Sequence, residues 1–475
     1  MTNTHPVLRR QFLKTTAECL AGAALLGIAR PFSSMAAAEQ LPASAPGSLP
    51  WVSSDVATLR RVIISPPDHD EGLNLIDPSF GLEPWVDRED WLKDHAVMRA
   101  LLEKSGAEVL TFEGVLDEAI EVARAKGEFR TWLRASLPAL SSEEKKVTAA
   151  ELMGAARERL YPQDEDGNFR YLVDADTVTW PRDVAVMLPA GLLICNFTSE
   201  RRVFSAQLMR FVAEYSPSLT RYPVAFDAIE EQVLVEGGDV QVMNGDTLLM
   251  GVGYRSEPSA ARHLARRLGM NVIAVQLRKA DYVKRPPKEA PLGLAAMFMH
   301  LDTCCTHVND KHVIVLPWFF ENEAVGKNPF VRVLKGIARH PHVKEEDAEE
   351  ALSWLVEMGK VKRYLAGSGE VDPKVTDLKL VDYLRAEGYR ISYVGGPPPP
   401  DADMDYFFDV VWREHLFQAA NVVATSPGHI LSYDHCPKTH EALRAAGIDV
   451  KVFPGANLRR GYGGPHCLTL PLERG

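Results

Sequence analysis

Near its C-terminus the chain reads Arg460-Gly-Tyr-Gly-Gly-Pro-His-Cys467, followed by a short apolar tail. A cysteine after a glycine-rich turn, with a histidine beside it, has the makings of a nucleophile. The glycines let backbone approach a ligand closely and aim one side chain into a cleft. Three further segments add to it: Trp180-Pro-Arg-Asp183, Val235-Glu-Gly-Gly-Asp239 and Met299-His-Leu-Asp-Thr303. Together they supply a thiol, a histidine and several carboxylates, each at the edge of an apolar run. That set suits attack on a cationic carbon.

Each segment alone also has a structural reading. A lone cysteine is commonly a buried core thiol. Glu-Gly-Gly-Asp can be a tight turn with solvated acids. His-Leu-Asp can be a hydrogen-bonded pair, and Arg182-Asp183 a surface ion pair of little worth. The chemical reading rests on all four occurring together.

Repeated elements must position them. Leu101–Val109 reads as a helix end, a glycine stop at Gly106 and a strand start. The same grammar recurs around Gly269, Gly388 and Gly447. Strand-like apolar runs accompany these units at Val62–Ser65, Val186–Phe197, Thr247–Val252, His312–Trp318 and Asn421–Tyr433. Five strand–helix–strand units predict a repeated α/β module closed into a ring. Two stretches break the rhythm: a charged, Ala/Leu-rich helical insertion at 113–165 and a second insertion at 340–400.

The chain has 475 residues, 46% of them apolar and 25% charged, an ordinary globular composition. Its net charge is −11, with no basic patch interleaved with aromatics, which excludes nucleic acid as the expected partner. An acidic protein tolerates a cationic small molecule. Residues 1–38 read as a twin-arginine signal peptide: Arg9-Arg10-Gln-Phe-Leu-Lys14, an apolar run from Thr15 to Ala29, then Ala36-Ala37-Ala38. The run is too short to span a bilayer comfortably. The expected location is therefore periplasmic, with the twin-arginine export machinery as the precursor's partner. Residues 39–55, rich in Pro, Ala and Ser, read as a flexible lead-in to a domain over 56–475.

Cys19 leaves with the signal, so Cys195, Cys304, Cys305, Cys436 and Cys467 remain, an odd number. Their spacing matches neither a disulfide framework nor a zinc site. No metal and no cofactor are expected. A homo-oligomer is compatible with the sequence and is not specified by it.

In the order Arg-Asp, Glu-Gly-Gly-Asp, His-Leu-Asp-Thr, Gly-Gly-Pro-His-Cys, the sequence resembles arginine deiminase of the guanidine-modifying, or amidinotransferase, superfamily. Segments Thr58–Ser65, Glu89–Leu110, Val233–Arg255, Phe298–His307 and Asn421–Leu472 resemble the corresponding family segments. The resemblance implies a five-bladed α/β propeller of ββαβ units, with an extra helical domain at 113–165. It implies hydrolysis of a guanidinium group, L-arginine and water giving L-citrulline and ammonia through a covalent Cys467 intermediate.

The residues suit that reaction. A guanidinium is always protonated and its carbon is deactivated by delocalisation. Asp183 and Asp302 can each take two parallel N–H bonds from it. Cys467 is the nucleophile, and His300 carries protons to ammonia and from water. Glu236 orients His300 or shares the guanidinium. The resemblance places these five at the family's catalytic positions. It places Arg255, nineteen residues after Glu236, with Arg201 or Arg202 and Asp239, in the substrate-binding set. Four residues at three sites depart from the family pattern. Tyr462 replaces an arginine, Thr177 an asparagine, and Trp180-Pro181 a Phe-Thr. They leave open a related guanidine-modifying enzyme, such as a peptidyl-arginine deiminase or an amidinotransferase. A non-catalytic exported binding protein is the remaining reading, although neither Cys467 nor His300 is lost.

Overall fold

The computed structural model describes residues 51–67, 71–72, 85–86, 88–160, 178–198, 202–277, 298–322, 331, 352–375, 377–461 and 463–475. The predicted signal at 1–38 lies outside these residues.

Five sheets repeat one connectivity. In the second, Ala185–Leu188 and Gly191–Ile194 form an antiparallel pair, and Val224–Asp227 joins in parallel after the helix Val203–Tyr215. A parallel pairing needs such a crossover, and the helix provides it. The third sheet repeats the order with Val240–Asn244, Thr247–Val252, the helix Pro258–Leu268 and Asn271–Gln276. The fourth uses Cys305–Asn309, His312–Val315, Leu380–Ala386 and Arg390–Tyr393. The fifth uses Val423–Ser426, His429–Tyr433, Pro437–Ala445 and Asp449–Phe453. The first is shared between chain ends: Thr469–Arg474 pairs antiparallel with Leu59–Ile64, which pairs parallel with Glu108–Thr111 after Arg88–Lys104.

Named bonds join each sheet to the next and close the ring. Cys467 O accepts from Arg182 N, and Asn196 bridges to Val235. Leu301 N donates to Asp239 Oδ1, Gly428 N to Val308 O, and Arg474 Nη1 to Ala424 O. The fold is a five-bladed α/β propeller. The helix stops expected at Gly106, Gly269, Gly388 and Gly447 all have positive φ, 92°, 64°, 81° and 86°. That is the left-handed turn only glycine adopts cheaply.

In the 113–165 region lie the helices Phe112–Lys126, Phe129–Ser136 and Ala149–Leu160. They pack on the second blade, with Trp132 and Phe211 rings 4.4 Å apart. In the 340–400 stretch, read in the sequence as a second insertion, the described residues 352–375 and 377–400 contribute to blades instead. Val361–Tyr364 adds a fourth strand to the third blade, antiparallel to Asn271–Gln276, and residues 380–393 complete the fourth blade. The charged composition of this stretch concealed short strands buried on few positions. The lead-in also differs at its end. Trp51 stacks edge-on against Tyr222, Val52 bridges to Arg474, and buried Asp55 accepts from Val242 N. These contacts fix residues 51–55 although the segment's average composition is that of a linker. No helix among the described residues is long and apolar enough to cross a membrane. Cys195, Cys304, Cys305, Cys436 and Cys467 are all free and buried.

Candidate active site

The four motifs converge at one end of the blades. Asp183 sits in the single helical turn Pro181–Val184 that opens the second blade. Glu236 precedes the turn Gly237–Asp239 opening the third blade, and His300 precedes Leu301–Thr303 opening the fourth. Cys467 lies just before the strand that closes the first blade. Repetition of the blade thus delivers residues far apart in sequence to one place.

Glycine makes the approach feasible. A Cβ on Gly238 would stand 2.6 Å from His300 Nδ1 and 3.1 Å from Asp183 Oδ1. A Cβ on Gly463 would stand 2.2 Å from the Trp180 ring, which walls the nucleophile turn.

His300 Nε2 lies 3.0 Å from Glu236 Oε2, and its Nδ1 lies 3.7 Å from Asp183 Oδ1. Burial alone would discharge this imidazole. The carboxylates of Asp183 and Glu236 outweigh burial and push its pKa up to about 9, so the ring is cationic at neutral pH. Glu236 Oε2 also accepts from Arg202 Nη1 at 2.9 Å and Arg255 Nη1 at 3.3 Å. Burial would raise its carboxyl, but the Arg255 and Arg202 guanidiniums hold it at about 2. Asp183 Oδ2 accepts from Arg202 Nη2 at 3.0 Å, yet burial keeps that carboxyl up at about 7.

On the opposite side, Asp302 Oδ2 accepts from His466 Nδ1 at 2.9 Å and from the Cys467 thiol at 3.2 Å. Burial would raise Asp302, and the bond from His466 overcomes it, so the carboxylate is held below its usual range. Burial and the Arg182 charge lower His466. The pair is therefore a carboxylate and a neutral imidazole with its proton on Nδ1. Burial, then the Asp302 and Asp183 charges, drive the Cys467 thiol well above its ordinary range. The free site holds a protonated sulfur.

Asp183 Oδ1, Glu236 Oε1 and Asp302 Oδ1 are buried with no hydrogen-bond partner among the described residues. Unpaired buried acceptors are costly unless a donor arrives. Their spread around Cys467 and His300 fits a planar cation with N–H groups on several edges. No group of three or more His, Cys, Asp or Glu among the described residues could hold a metal ion. A separate cavity of about 680 Å³, lined by Trp132, Phe211, Arg210 and Asp227, contains none of these side chains.

A family model for arginine deiminase matches residues 134–348 and 409–474, more than half of the chain. The chain belongs to the arginine deiminase family. It is 26% identical over 457 residues to an arginine deiminase of Mycobacterium marinum, covering 89% of this chain and 97% of that one. It is 24% identical over 452 residues to one of Listeria innocua, covering 89% and 98%. Among solved structures, the N-terminal domain of ArgZ bound to product, an arginine dihydrolase from the ornithine–ammonia cycle in Cyanobacteria, aligns at 14% identity. That alignment has a TM-score of 0.45 and covers 87% of this chain and 97% of that one.

Of the eight residues singled out in the sequence, the structure gathers Asp183, Glu236, His300, Asp302, Cys467, Arg255 and Asp239. Arg201 lies outside the described residues, as do Thr177 and Tyr462. Its neighbour Arg202 is the buried guanidinium that spans Asp183 and Glu236. Asp239 has both oxygens engaged, by Ser256 Oγ at 2.6 Å and Leu301 N at 2.9 Å. It thereby ties the Glu236 turn to the His300–Asp302 turn. Sequence reasoning missed Asn421, Ser256 and the buried pair Asp55–Arg182, whose Arg182 Nε donates to Thr469 O at 3.2 Å. Only the Arg182-Asp183 dipeptide carries a signal, and a surface ion pair is the structural alternative it offers in the sequence.

Proposed function

We propose that the protein hydrolyses the guanidinium of L-arginine to give L-citrulline and ammonia, with Cys467 as the covalent nucleophile. The observation that carries this is three buried oxygens, Asp183 Oδ1, Glu236 Oε1 and Asp302 Oδ1, that accept no hydrogen bond among the described residues and stand with a thiol and a cationic histidine.

The substrate cation enters a cluster where Asp183, Glu236, Asp239 and Asp302 face Arg202, Arg255 and His300. Its N–H groups satisfy the waiting carboxylate oxygens, and its positive charge favours thiolate over thiol. The substrate's N–H groups take over Asp302, the Cys467 proton is displaced to solvent, and sulfur bonds to the guanidinium carbon. His300 gives its proton to one nitrogen, the C–N bond breaks and ammonia departs, leaving an amidino group on sulfur. His300, now neutral, takes a proton from water. The hydroxide adds to the same carbon, the C–S bond breaks, the proton of the new hydroxyl passes to the departing sulfur, and citrulline and the restored thiol separate. Glu236 holds His300 in register throughout. In the free protein Arg202 and Arg255 rest on Glu236 and Asp183, and they turn to the substrate's α-carboxylate as its guanidinium takes over those oxygens. With Tyr462 where the family carries a further arginine, they bear that task between them.

The leader Arg9-Arg10-Gln-Phe-Leu-Lys14 supports export by the twin-arginine pathway, so that the protein acts in the periplasm. Incubating the protein with arginine, agmatine, methylated arginines and a peptidyl-arginine, and scoring ammonia and ureido product, tests the substrate. Product from arginine alone or foremost is expected. Product only from peptidyl-arginine would assign the site to a different substrate class.

A further inference from the structure

We propose that Asn421 is a positioning residue that keeps the sulfur of Cys467 in its reactive, anionic state during turnover. The proposal rests on Cys467 being the nucleophile. Asn421 is fully buried at the start of the fifth blade, 46 residues before Cys467. Its Oδ1 accepts from the backbone N–H of His466 at 3.1 Å and of Cys467 at 3.2 Å. Those two donors fix the carboxamide: a flipped amide would set NH2 against two N–H groups. Nδ2 is therefore committed to the sulfur, 3.0 Å away. The backbone is equally constrained. Asn421 N donates to Gln418 O at 2.9 Å, and a Cβ on Gly464 would lie 2.5 Å from Asn421 O.

The groups facing Cys467 explain why such a donor matters. Asp302 and Asp183 are carboxylates that oppose a thiolate, and burial opposes it further. His466 spends its Nδ1 proton on Asp302. Tyr433 gives its hydroxyl to Gly463 O at 3.2 Å. The Gly464 backbone N–H acts on the sulfur in the favourable sense, and Asn421 Nδ2 is the side-chain donor that does so. Negative charge appears on sulfur twice, before attack and on release of product. A neutral N–H donor stabilises it on both occasions without binding the substrate.

Two variants separate this role from simple support of the loop. Asn421→Asp keeps an oxygen for the two backbone N–H groups and replaces only the donor. Asn421→Ala removes all three bonds. For each, kcat, KM and the pH dependence of Cys467 alkylation by iodoacetamide, located by peptide mass, are measured beside the wild type and Cys467→Ser. Circular dichroism checks the fold. The expected result is kcat lower by about tenfold or more, with KM for arginine nearly unchanged. The alkylation midpoint should rise by about one pH unit, a tenfold slower reaction at fixed pH, and further in Asn421→Asp than in Asn421→Ala. A folded variant with an unshifted midpoint overturns the proposal, as does loss of fold in both variants. Full activity in Cys467→Ser would instead remove the nucleophile reading itself.

Discussion

The thiol of Cys467 donates to Asp302 Oδ2 across 3.2 Å, so the proposed nucleophile and the proposed guanidinium anchor are hydrogen-bonded to each other in the free protein. Substrate competes for that carboxylate with the thiol proton. Binding and ionisation of the nucleophile are thereby coupled, and the sulfur is guarded as a thiol when the site is empty.

The same coupling should release protons. Burial holds the Asp183 carboxyl at about 7 in the free protein, and a bound guanidinium must lower it. Arginine binding to Cys467→Ser, in which the thiol cannot contribute, is expected to release about half a proton from Asp183 at pH 7, with Asp239 adding to it, and less at pH 8, before His300 begins to titrate near 9. Calorimetry in buffers of different ionisation enthalpy reads this directly. Proton uptake at pH 7 would show that Asp183 is not the titrating anchor.

Gly238→Ala should disable the site while sparing the fold. The new Cβ would press on His300 Nδ1 at 2.6 Å and Asp183 Oδ1 at 3.1 Å. Gly238 lies outside the positive-φ region, so crowding alone is at issue. Displacing a proton carrier by roughly 1 Å costs about 10²-fold in kcat. Wild-type kcat in a folded Gly238→Ala protein would contradict the placement of His300.

His300 links stability to pH. Its folded pKa of about 9 exceeds the ordinary 6.5, because the carboxylates of Asp183 and Glu236 overcome burial. A raised histidine contributes stability that is complete below pH 6.5 and lost as pH climbs through about 9. The margin is at most roughly 3 kcal/mol. The Tm advantage of wild type over His300→Asn should therefore shrink between pH 6.5 and pH 9.5. An advantage that stays constant over that range rules out the charged imidazole.

Much of this was legible in the sequence because blades end where chemistry begins. The glycine stops at 106, 269, 388 and 447 exposed the period, and the motif residues stand at blade entrances. Other features were hidden by burial on both faces. Val186–Phe197 and Asn421–Tyr433 read as single apolar runs, yet Ala185–Ile194 and Val423–Tyr433 are hairpins. Without a solvent face there is no alternation to mark their strands. Arg201 and Arg202 are adjacent and chemically identical, so the sequence does not single out Arg202, which reaches Glu236 from the helix entrance at Val203. Asn421 had no motif around it, since its partners are the backbone of residues 466–467.

The leader carries a separate expectation. If the twin-arginine pathway exports the chain, Cys467 is folded into its buried site before meeting an oxidising compartment. Replacing Arg9 and Arg10 together with Lys should strand precursor in the cytoplasm, as fractionation and immunoblotting would detect. Mature protein outside the cytoplasm in that double variant would point to another route.

The most direct measurement is trapping of the covalent intermediate. Rapid acid quench of wild-type protein turning over arginine, followed by peptide mass analysis, should find an adduct on the Cys467 peptide equal in mass to arginine less ammonia. Cys467→Ser should show neither adduct nor turnover while keeping its fold. Citrulline production with no adduct on Cys467, together with an active Cys467→Ser protein, would contradict the account.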